Sequence, residues 1–218
     1  MSMSVEEWVK AVFDRPVTEP AWYFDIDVPD IEVLPQDEAR LYAETFERAG
    51  ELLAPFTPQQ LNQGLNYLSS NSCSDHMFAL LDRTVDVELR LRALRSFVPL
   101  FRDLMAKVCS PHLGHLDEPG ANPVNLACYM WWDVLPFPDI DRWQTDVAFK
   151  DAGLDVMRQI LAVPHDAVRE SALHGLGHWH MYYPREVNEI VRTFLRSKRK
   201  LRPELRDYAE AAAQGSVQ

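Results

Sequence analysis

Residues 164–197 read PHDAVRESALHGLGHWHMYYPREVNEIVRTFLRS, and their spacing decides the fold class. Asp166 stands where a helix start favours a short acidic side chain, and Val168, Ala172, Leu173 and Leu176 follow at helical spacing. Pro184 suits a first helical position, and Val187, Ile190, Val191, Phe194 and Leu195 then form a second apolar stripe. Two amphipathic helices joined by a short turn are therefore predicted. Glycine inside a helix costs about 1 kcal/mol relative to alanine. Gly175 and Gly177 thus predict either close approach by a neighbouring helix or an early helix end.

Working outward, the same periodicity recurs along most of the chain. Ser4-Val-Glu-Glu7 is a capping box ahead of Val5, Trp8, Val9, Val12 and Phe13, so a short helix opens the sequence and stops before Pro16. A helix over about 36–54 follows Pro35. Thr57-Pro58-Gln59-Gln60 caps another that carries Leu61, Leu65 and Leu68, and these two are expected to pair as a hairpin. Asp86 starts a long pattern that Pro99 should kink or divide. Asn122 and Pro123 cap a helix with Val124, Ala127, Cys128 and Trp131; Pro136-Phe-Pro138 breaks the chain; and a helix from about Thr145 or Asp151 runs to Ala162. No stretch alternates as a sheet strand would.

The 164–197 segment resembles a HEAT-like (ARM-like) repeat, whose first helix typically reads D-x-x-V-R-x-x-A-x-x-A-L-G-x-L-G. A weaker echo is Asp86-Val-Glu-Leu-Arg90 with Ala93-Leu94, where Ser96-Phe97 replaces the small residue and glycine. A single hairpin cannot bury its own apolar face, so the resemblance implies several stacked units. The expected fold is one all-α domain over 1–218, built of stacked antiparallel helical hairpins as an α-α superhelix. Residues 16–35 form an extended aromatic and acidic arm, and residues 198–218 a basic, then flexible, tail. The family most often serves as a protein-binding scaffold, with a minority of enzymes and nucleic-acid binders, so a protein-binding adaptor is the favoured function and no cofactor is expected.

Composition narrows the partners. The chain has 218 residues, 47% hydrophobic and 25% charged, enough for one sizeable core. Its longest apolar run, Leu126–Trp132, is far short of the roughly 20 residues that span a bilayer, and Met1–Lys10 carries acids where a signal peptide carries bases. Expectation is therefore a cytoplasmic protein with no membrane partner. Cys73, Cys109 and Cys128 fit neither a disulfide framework nor a zinc knuckle. Net charge is −11, but residues 1–89 hold 17 acids against 5 bases and the rest is nearly balanced. That acidity disfavours nucleic acid, for which only Arg192–Arg206 offers a basic cluster, and favours a protein with a basic surface. Trp22, Tyr23 and Phe24, with Asp25, Asp27, Asp30 and Glu32, are the residues predicted to meet it.

Two constellations could carry chemistry. His174 and His178 stand at i, i+4 on one helix face, where two ring nitrogens can share a zinc ion, with His180 close behind. The H-E-x-x-H pattern is broken by Gly175, and a zinc site needs a third and fourth ligand, for which the sequence offers His165 and Asp166, a helix away, and His112 and His115 in a loop. Trp131-Trp132-Asp133 resembles the aromatic pair and carboxylate of some HEAT-like DNA glycosylases, which stack on a damaged nucleotide; such enzymes need a basic concave face. No phosphate-cradling glycine loop or G-x-S-x-G nucleophile elbow is present.

Overall fold

The opening capping box forms as spaced: the Ser4 hydroxyl accepts the Glu7 backbone N–H, Glu7 reaches back to the Ser4 N–H, and α1 runs Val5–Phe13. In this computed structural model the described residues are 3–134, 147–197 and 200–217. Their architecture is all-helical, without a strand. The principal helices are α1, α2 (Pro35–Glu47), α3 (Pro58–Ser69), α4 (Val87–Arg95), α5 (Val124–Tyr129), α6 (Val147–Ile160), α7 (Asp166–Trp179), α8 (Pro184–Arg196) and α9 (Pro203–Ala212). Pro136-Phe-Pro138 lies outside the described residues, as does the start proposed at Thr145.

Local signals placed most of these elements, α9 excepted, and long-range packing then departed from simple hairpins. The helix expected over 36–54 divides: α2 ends at Glu47, and a separate turn, Ala49–Leu52, follows Arg48. Helices α2 and α3 do not form the hairpin their adjacency implied. The main partner of α2 is α4, and that of α3 is α5, because α1 packs against both α2 and α3. Gly64 of α3 makes this possible: a Cβ there would stand 2.4 Å from the ring of Phe13. A direct link survives in the Tyr42 hydroxyl of α2, which donates to the Leu68 carbonyl. Pro99 divides its helix as predicted, α4 giving way to a short Phe97–Pro99 turn and a widened π-helical stretch, Leu100–Met105.

Helix α7 is the axis of the C-terminal half. Every residue from Ala167 to Gly177 is buried, and α7 packs on α9, α6, α5, the Trp131–Val134 turn and α8. An α-helix buried over most of its circumference is central, and its last turn, at His178, reaches solvent. Gly175 and Gly177 explain the close approach, since α7 continues past both. A Cβ on Gly175 would meet Trp132 at 2.5 Å and the Met157 sulfur at 2.9 Å, and one on Gly177 would meet Val217 at 2.5 Å. The tail also differs from expectation. Residues 203–212 form a packed helix with Leu205, Tyr208, Ala209 and Ala212 buried, because those four recur at helical spacing after Arg202-Pro203. One continuous apolar core runs from Val5 to Ala213. Among the described residues, no helix is long and apolar enough to cross a membrane.

Candidate metal centre

His174 and His178 share a face of α7 one turn apart, and the turn Trp131–Val134 packs across that face. Trp131 sets the position of this turn. It is fully buried and meets Phe46, Phe97 and Phe101 edge-on at ring separations of 5.9, 5.3 and 6.0 Å. Trp132 packs over Gly175, where the absent Cβ leaves room for its indole. With both tryptophans held in the core, Asp133 projects onto the histidine pair. Its Oδ2 accepts from His174 Nε2 at 2.8 Å and its Oδ1 from His178 Nε2 at 2.7 Å, while the two imidazole nitrogens are 3.2 Å apart.

Burial pushes the Asp133 carboxyl up, but hydrogen bonds from His174 and His178 more than offset it and hold the group below the ordinary carboxylate range. The same contact raises the His178 imidazole against the opposing effect of burial. His174 is 1% exposed at its side chain, Asp133 22% and His178 46%, so the cluster is rooted in the core and opens to solvent on one side.

A second tier fixes His174. Its Nδ1 faces the hydroxyl of Tyr208 on α9, and that hydroxyl is 3.2 Å from Tyr129 on α5. With Nε2–H donating to Asp133, Nδ1 accepts from Tyr208 and Tyr208 accepts from Tyr129. If Nε2 instead binds a metal, Nδ1–H donates to Tyr208 and both hydroxyl hydrogens rotate, with no heavy atom needing to move. His115 stacks on Tyr208 at 4.3 Å. Glu170 of α7, 1% exposed, holds His115 there by accepting the backbone N–H groups of Gly114 and His115, at 2.6 and 3.0 Å, and His115 Nδ1.

Sequence and structure thus divide the candidates differently. Asp133, singled out with the tryptophans, belongs with His174 and His178. His180 stands apart, taking a hydrogen bond from Asn188 at 3.2 Å. Trp131 and Trp132 present no open face on which a nucleotide base could stack, because both are structural anchors. Tyr208, Tyr129 and Glu170 escaped the sequence reading; the apolar spacing of 205–212 was the available signal for Tyr208, and nothing local marks the other two. In the arm, Trp22 is buried, Tyr23 half-buried, and Phe24, Asp25, Asp27, Asp30 and Glu32 are exposed, and none of them belongs to the cluster of Asp133, His174 and His178. No family model, curated protein or solved structure matches the chain, so function is read from these side chains themselves.

Proposed function

We propose that this protein binds a first-row divalent metal ion through His174, His178 and Asp133, in a site of the catalytic type with open coordination positions. One observation carries the reading: ligand atoms from α7 and the Trp131–Val134 turn converge within 4.8 Å of one another. Donors about 2.1 Å from a common ion stand about 3.0 Å apart at octahedral angles and about 3.4 Å apart at tetrahedral ones. The observed 3.2 Å between nitrogens and 2.7–2.8 Å to the carboxylate need only a few tenths of an ångström of opening. Two imidazoles and a carboxylate on one face suit Zn²⁺ or Fe²⁺, and leave at least one position for water or a substrate. Such an ion supplies Lewis acidity and an activated water. Tyr208 and Tyr129 supply the outer support that fixes the His174 tautomer.

The test is titration of chelator-stripped full-length protein with Zn²⁺ in air and with Fe²⁺ without oxygen, followed by calorimetry. Cobalt substitution gives an optical readout of geometry. One ion per chain is expected, lost in His174→Ala, His178→Ala and Asp133→Asn separately. Failure of every ion to bind stoichiometrically makes the cluster a hydrogen-bonded clamp that ties the Trp131–Val134 turn to α7.

The HEAT-like reading of residues 164–197 remains part of this proposal, supported by the short turn between α7 and α8 and by their mutual packing. Chemical unfolding followed at α1 and α8 tests it. Separate transitions fit a stack of units, whereas one coincident transition argues for a single core.

A further inference from the structure

The arm between Pro16 and Pro35 takes no part in the metal centre, and its geometry is that of a presented loop. Two buried side chains pin it. Trp22 lies 4.6 Å from the Tyr67 ring with the Arg15 guanidinium 4.8 Å above it, and Ile31 is buried at the other end. Between these pins the chain turns, with Asp25 Oδ1 accepting from Asp27 N at 3.0 Å and the Asp25 carbonyl accepting from Val28 N at 3.1 Å. Ile26 sits at the tip of this turn and is 98% exposed, and Phe24 beside it is 55% exposed. Single exposed apolar residues are ordinary on protein surfaces. This pair is different because a hydrogen-bonded turn, pinned at both ends, holds it outward beside the exposed carboxylates of Asp25, Asp27, Asp30 and Glu32.

Pro16 to Pro35 contains five acids and no lysine, arginine or histidine. Asp25, Asp27, Asp30 and Glu32 have no ion-pair partner among the described residues. Behind the loop lies a cleft of about 480 Å³ whose lining includes Asp30, Glu32 and Asp75, a buried Glu38 paired with His76, and no lysine or arginine. We infer that residues 24–32 are a docking loop for a basic segment of a partner protein. The partner's apolar side chains cover Phe24 and Ile26, while its arginines or lysines meet Asp25, Asp27, Asp30 and Glu32. Charge complementarity selects this occupant. Nucleic acid and anionic membrane carry the wrong sign, and a second copy meeting the same loop across a two-fold axis would bring like charges together.

Fluorescence anisotropy of full-length protein with short labelled peptides tests the inference. The probes alternate Arg with Leu, Lys with Leu, Arg with Ser, or Glu with Leu. The Arg–Leu and Lys–Leu peptides should bind, and the Arg–Ser peptide about tenfold more weakly. The double variant Phe24→Ser/Ile26→Ser should weaken the Arg–Leu peptide about tenfold. The quadruple variant Asp25→Asn/Asp27→Asn/Asp30→Asn/Glu32→Gln should weaken it at least as much and flatten its salt dependence, mainly through the association rate. Thermal unfolding of both variants should match wild type, because these side chains are exposed. The inference is overturned if neither Leu-containing basic peptide binds, if the variants leave binding unchanged, or if Arg–Ser binds as tightly as Arg–Leu. Sedimentation showing self-association that Ile26→Ser abolishes would also overturn it, by making a second copy the occupant.

Discussion

Replacing Gly175 by alanine sets two effects of known size against each other. Helix propensity favours alanine by about 1 kcal/mol. Against this, the added Cβ stands 2.5 Å from Trp132 Cγ and 2.9 Å from the Met157 sulfur, where carbon contacts settle at about 3.5–4.0 Å. The indole must retreat by about 1 Å, and it has nowhere open to go: Trp132 is 3% exposed and backs onto Phe97. Overpacking of this kind costs about 1–3 kcal/mol, so after the propensity gain Gly175→Ala should lose up to about 2 kcal/mol net and lower Tm by up to about 8 °C for a chain of this size. Gly177→Ala is the matched control. There the added methyl meets Val217, in a segment held by the backbone bonds of Gly215 to Ala212 and Ser216 to Ala211, which can shift more cheaply than a core indole. Gly177→Ala should change Tm by less than half as much, and Gly177→Leu, which drives a larger group into that seam, should destabilise. Differential scanning calorimetry with a guanidinium melt at constant m-value measures all three. Because Asp133 follows Trp132, Gly175→Ala should also weaken metal binding. A Gly175→Ala protein at least as stable as wild type would refute the close packing that positions Asp133.

Other consequences can be measured directly. Tyr208→Phe removes the partner of His174 Nδ1 and should lower metal affinity by about 10–100-fold in calorimetry while leaving stoichiometry at one. Metal at a hundred times its Kd should stabilise the wild-type fold by about 2.7 kcal/mol, and His174→Ala should abolish that gain in a denaturant melt. Glu170→Ala strips a buried carboxylate from three N–H donors and should cost about 3–5 kcal/mol, with Glu170→Gln losing less, as read from urea midpoints. Hydrogen bonds from Arg202 and from the Leu113 N–H hold the Glu118 carboxyl down at about 2. Its folded value lies below its unfolded one, so its contribution is present above about pH 4.5 and lost as pH falls through about 2. Urea midpoints for Glu118→Gln should therefore vary less than wild type over that window.

Sequence alone determined what depends on near neighbours. Capping boxes at Ser4 and Thr57, prolines at first helical positions, and apolar periodicity placed most of the helices within a few residues, because those signals act over one or two turns, whereas residues 203–212, expected as part of a tail, are helical. The i, i+4 relation of His174 and His178 was equally legible. Which helices pair was a different matter: α1 lying against both α2 and α3, and α7 buried over most of its circumference, depend on shape fit at Gly64, Gly175 and Gly177 among residues far apart in the chain. The candidate site shows the same division. Asp133 lies 41 positions from His174 and Tyr208 lies 34, and no local pattern links them. Only the burial of Trp131 and Trp132 turns Asp133 onto the histidines, and only the packing of α9 on α7 brings the Tyr208 hydroxyl to His174, because packing acts through space and not along the chain.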